Sequence, residues 1–149
     1  MSNFLKGPWI CDKCNMEILN SKDGYVVWHA DTDYDFGFEI IHQNKCDDNS
    51  KSMSLPLDDF IGDRGLNELL SFLSHGMIKR YQGQTSGLAN RIKDFDEFVD
   101  FFRRLQFPNY ESARVHFRNI ELLDDFKDEN EISPYLEDGL AKIISKYSK

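Results

Sequence analysis

The stretch WICDKCNMEI, residues 9–18, decides the reading of this 149-residue chain. It sets Cys11 and Cys14 two residues apart, and the third cysteine, Cys46, closes a second short motif, HQNKC, at residues 42–46. A Cys-x2-Cys turn lets two thiolates grip one ion from a single knuckle, and a distant His-x3-Cys supplies the other two corners of a tetrahedron. The 27 residues between the pairs leave room for a hairpin that returns the chain to its start. Cys11, Cys14, His42 and Cys46 together use every cysteine present, and thiolate with imidazole favours zinc over harder cations. An odd cysteine count suits disulfides poorly. Two other readings stand beside this one. The cysteines could be buried free thiols, a common role, or His29 could replace His42 as fourth ligand, although it lies toward the opposite end of the hairpin.

Three thiolates and one imidazole complete a tetrahedron and leave no vertex for water or substrate, so the expected role of Zn2+ is structural. Metal affinity then becomes folding free energy for a segment too small and polar to hold itself together. The hydrolytic deaminase arrangement fails on order. It needs a His-x-Glu ahead of Pro-Cys-x2-Cys, whereas here the Cys-x2-Cys precedes His42 and Pro8 is not adjacent to Cys11.

Working outward, GYVVWHA (24–30) and FGFEIIH (36–42) are β-branched and aromatic runs, the second with Phe36, Phe38 and Ile40 alternating. They predict an antiparallel hairpin across the polar DTDYD. CDDNSKSMS (46–54) reads as a polar connector, which divides the chain into a zinc-binding β-hairpin module, 1–50, and a helical domain, 51–149, in one compact unit. In the second part, Asp63 caps a helix to about His75 with Leu66, Leu69, Leu70 and Leu73 on one stripe. Asp94 with Glu97 forms a reciprocal capping pattern for a helix ended by Pro108. Asn109 opens a third helix running to Leu123 or Phe126, and Ser133-Pro134 opens the last. The segment 81–90, with two glycines, reads as a loop.

Composition narrows the function classes. A charge of −8 argues against a surface that tracks nucleic acid, since phosphate contact needs Lys and Arg. The one basic stretch, 77–93, holds Lys79, Arg80, Arg91 and Lys93 without an acid. Arg103, Arg104, Arg114 and Arg118 are mixed with acids and read as surface ion pairs. His116 reads as a half-buried histidine with a local hydrogen-bond partner. Asp31, Asp33 and Asp35 alternate like a calcium loop but lack its glycine and its final Glu. No apolar run reaches the roughly 20 residues of a membrane span, and the opening lacks a signal-peptide core, so a cytoplasmic protein is expected.

The segments WICDKC, DGYVVW, IIHQNKC, LPLDDFIGDRGLNELLSFL and PNYESARVHF together resemble a group of small bacterial proteins with an opening zinc-knuckle-like segment. The resemblance spans most of the chain and implies the same four ligands and a single fused unit. It implies no activity.

The sequence therefore predicts the α+β class: a zinc-ribbon-like or knuckle-like β-hairpin packed on helices. The expected function is a non-enzymatic module that binds another protein through its acidic surface, of immunity or defence type. The alternative is a nucleic-acid-binding regulator that uses the zinc module or residues 79–93.

Overall fold

A computed structural model describes residues 7–84 and 90–148. Residues 85–89, half of the expected loop 81–90, lie outside the described residues. The structure is α+β, with two small antiparallel sheets and six α-helices among the described residues. It divides into two compact units, Met1–Gln106 and Phe107–Lys149.

In the first unit, β1 (Trp9–Ile10) pairs with β2 (Glu17–Ile18) around the Cys-x2-Cys turn. The expected hairpin forms as β3 (Gly24–Ala30) and β4 (Asp35–His42). Its loop is residues 31–34, where the Asp31 carboxylate accepts from the amides of Asp33 and Tyr34 at 2.8 and 2.6 Å. Alternate aspartates here serve a turn, since a short acidic side chain can hydrogen-bond the amides two and three residues on.

The polar stretch read as a connector leads into β5 (Met53–Pro56), which pairs with β3 to give the sheet order β4-β3-β5. As the central strand, β3 is covered on both faces, so Val26, Val27 and Trp28 are buried in succession rather than alternately. The hairpin and the helices α1 (Gly62–Ser71) and α3 (Phe95–Gln106) thus belong to one unit, with no division near residue 50.

Aromatic rings fill the space between sheet and helices. Phe38 stacks on Phe101 with centroids 4.7 Å apart, and Trp28 meets Phe60 and Phe72 edge-on at 6.0 and 5.7 Å. Gly65 in α1 lies against the backbone of Phe60, where an added Cβ would fall 2.0 Å from a carbonyl carbon. Gly65→Ala must therefore displace main chain, and a loss of about 3 kcal/mol is expected by urea denaturation; unchanged stability would contradict the packing described.

Beyond Asp94, α3 follows expectation, but its capping box is only half made. The Asp94 carboxylate accepts from the Glu97 amide at 3.2 Å, whereas Glu97 Oε1 accepts from the amide of Phe38 in β4 at 2.8 Å. Glu97 thereby closes part of the open edge of the sheet, which would otherwise present an unpaired donor.

In the second unit the expected third helix is broken into α4 (Tyr110–Arg114) and α5 (Glu121–Asp125). Asn109 sits in left-handed backbone (φ 69°) without a side-chain cap, and Ser133–Tyr135 is a separate 3-10 turn before α6 (Glu137–Tyr147). Tyr110, Ala113, Phe126, Leu140 and Ile143 make its core.

Asp125 ties α5 to α6. The Lys146 ammonium at 2.6 Å and the Tyr147 hydroxyl hold its carboxyl below the usual aspartate range. A carboxyl lowered by folding contributes stability above its unfolded value and loses it as pH falls through the folded one. Asp125→Asn should be less stable than wild type at neutral pH, with the gap closing below about pH 4; denaturation midpoints across that range test it.

Candidate metal centre

The Cys-x2-Cys turn is built by backbone. Cys11 N donates to Met16 O and Asn15 N to Cys11 O, both at 2.9 Å, and Asn15 takes a left-handed φ of 62°. Asn tolerates that region better than most residues. The second turn repeats the device with Asn44 at φ 71° between His42 and Cys46. β4 delivers His42 to this end of the sheet, where it pairs with Gly24.

The Sγ atoms of Cys11, Cys14 and Cys46 and one ring nitrogen of His42 all lie within 4.8 Å of one another. His42 Nδ1 stands 3.4 Å from Cys14 Sγ and 3.7 Å from Cys46 Sγ. A tetrahedral ion with bonds of about 2.3 Å to sulfur and 2.05 Å to nitrogen has N···S edges near 3.6 Å, so the spacing suits a single ion. Across the ring, His42 Nε2 lies 3.0 Å from the carbonyl of Glu17. A carbonyl only accepts, so Nε2 carries the proton and Nδ1 turns its lone pair toward the sulfurs.

The thiols show why the group calls for a cation. At Cys11, burial acts to raise the pKa, but the amides of Cys14, His42 and Lys13 and the His42 ring overcome it and bring it down to about 6. At Cys46, burial and then the neighbouring Cys11 and Cys14 push the thiol up to about 11. One thiolate is welcome and a third is resisted by the others; a divalent ion removes that repulsion. The four side chains can hold a metal ion.

His29 is at the wrong end. It pairs with Phe36, five residues along β3 from the Gly24–His42 pair, roughly 16 Å at strand rise.

Comparison with protein-family models, curated proteins and solved structures found no match.

One residue important to the site escapes sequence reasoning. Arg104, expected among surface ion pairs, is 2% exposed. From α3 its Nη1 donates to Asp12 Oδ2 at 2.8 Å and its Nη2 to the Ile10 carbonyl at 3.0 Å. Asp12, inside the Cys-x2-Cys turn, also accepts from Ile40 N on β4 and donates its own amide to Ile40 O, each at 2.8 Å. The knuckle is thus clamped to sheet and helix from behind. Lys13 on the outer side pairs with Asp48 at 3.4 Å and Glu39 at 3.8 Å, which links the knuckle to the chain after Cys46.

Arg91, counted above in the basic stretch, is likewise engaged. It binds Asp35 at 3.1 Å and the carbonyls of Asp31 and Thr32, closing the β3–β4 loop. His116 is half-buried as expected, but its partner is not local: Ser148 Oγ, 32 residues on, lies 2.9 Å from Nε2. No helix among the described residues is long and apolar enough to cross a membrane.

Proposed function

We propose that Cys11, Cys14, His42 and Cys46 hold a structural Zn2+ and that the protein is a non-enzymatic module that binds another protein. The observation that carries the reading is the convergence of three sulfurs and the lone pair of a tautomer-fixed imidazole on one point. Four protein donors fill a tetrahedral ion, whereas catalytic zinc keeps a position open. The excess of acids over bases supports a protein partner with a basic face over nucleic acid. With Arg91 bound to Asp35 and Lys93 drawn over the Phe36 ring, Lys79 and Arg80 are the remaining cations of the basic stretch, a small footprint for phosphate.

Elemental analysis tests the site. Purified protein should carry about one zinc per chain, His42→Ala and Cys14→Ser should lose most of it, and His29→Ala should keep it. Equal zinc in His42→Ala and wild type would overturn the ligand assignment. Affinity capture at several salt concentrations tests the binding role, with a stoichiometric protein partner as the expected result and its consistent absence as the contrary one.

A further inference from the structure

Residues 76–84 project from the first unit, and every one of them is exposed. Within the stretch, α2 (Met77–Tyr81) carries Met77, Ile78 and Tyr81 at 50, 82 and 79% exposure. Helical spacing gathers these three on one side of the turn and leaves Lys79 and Arg80 on the other. Gly76 and Gly83 flank it at φ 85° and 66°, and a Cβ on either would meet nothing within 4 Å. The knob is therefore apolar with a cationic flank, in a chain of net charge −8.

The same unit has a feature of opposite character. An open depression of about 580 Å³ at the start of α3 is lined by Phe36, Lys93, Asp94, Phe95, Asp96 and Glu97. Phe95 is 55% exposed, and Val99, one turn along, 39%. Lys93 is drawn over the Phe36 ring, 4.6 Å from its centroid, and Asp94, Phe95 and Asp96 are all exposed.

We propose that the α2 knob docks into the α3 depression of a second copy of the chain, with Ile78 and Tyr81 against Phe95 and Val99 and with Lys79 and Arg80 facing Asp96. Apolar surface meets apolar surface and cation meets carboxylate, the pairing that steers and orients association. Tyr, Arg and Met are also the side chains that interfaces favour. An anionic lipid surface would satisfy the knob but repel the rest of an acidic chain. Knob and depression lie on one chain, so copies either exchange them reciprocally or continue head to tail. Each contact is small beside the roughly 1,200 Å² at the lower limit of standard interfaces, so the association is weak, in the micromolar range or above. It does not depend on the zinc reading.

Sedimentation velocity of the zinc-replete full chain, from low to high micromolar concentration, tests this. The mean mass should rise with concentration, and Ile78→Glu or Phe95→Glu should each weaken association by about tenfold or more with the far-ultraviolet spectrum unchanged. Lys79→Glu with Arg80→Glu should also weaken it, and adding Asp96→Lys should restore part of the loss. A wild type that stays monomeric throughout overturns the proposal, as does association indifferent to Ile78→Glu or to Phe95→Glu. Binding of monomeric protein to phosphatidylserine-containing vesicles, lost in Ile78→Glu, would assign the knob to a membrane surface and equally overturn it.

Discussion

Zinc removal by a strong chelator is expected to unfold the amino-terminal segment and lower the melting temperature sharply. The strands around the first knuckle are two residues each, too short to persist alone. Yet this segment contributes Trp9, Cys11 and Ile18 to the main core, all at most 1% exposed. On the proposed reading, a bound ion would hold them there. Structural zinc binding is worth about 10–16 kcal/mol in small isolated modules, a magnitude comparable with the whole stability of a domain, about 5–15 kcal/mol. Trp9 and Trp28 are both buried, so tryptophan emission should shift to longer wavelength on chelation and return when zinc is restored. A melting curve and emission spectrum indifferent to chelator would contradict the staple.

Arg104→Met is the second large effect. The substitution keeps an unbranched side chain of similar length, so packing is largely preserved while the buried charge is removed. Asp12, 19% exposed at its side chain, then loses its cationic partner, and the Ile10 carbonyl loses a donor. Breaking one half of a buried pair costs about 3–5 kcal/mol, because the remaining charge stays desolvated. Arg104→Lys should recover only part of this, since one ammonium cannot reproduce a planar fork reaching two acceptors. A double-mutant cycle with Asp12→Asn isolates the pair; additivity of the two single changes would show that the clamp is not energetic. The Arg104 variants should also bind zinc more weakly, since the knuckle is held from behind by the same contact.

The clustering of Cys11, Cys14, His42 and Cys46, the β3–β4 hairpin and α3 were all legible in sequence because their signals are local. Metal motifs have fixed spacing, strands show β-branched runs, and α3 has a cap, a stripe and a proline beyond its end. What escaped depends on partners far along the chain. β5 is a short tetrapeptide, MSLP, with no β-branched residue, that becomes a strand because β3 offers an edge to pair with. Arg104 reads as a surface charge until folding brings Asp12, 92 residues away, against it. Glu97 fits a capping box locally, but the unpaired amide of Phe38 draws it off. The break between α4 and α5 has no proline to mark it; exposed Val115 and Ile120 show that the apolar stripe lacked a surface to cover there. Asn15, beside Cys14, and Asn44, between His42 and Cys46, take left-handed backbone that a short polar side chain tolerates, and this shapes both turns.

X-ray absorption at the zinc edge of the native protein tests the central claim most directly. The account predicts three sulfur neighbours near 2.3 Å and one nitrogen near 2.0 Å, with no light-atom neighbour beyond the imidazole. An additional oxygen, or a shell with fewer than three sulfurs, would contradict a closed structural centre.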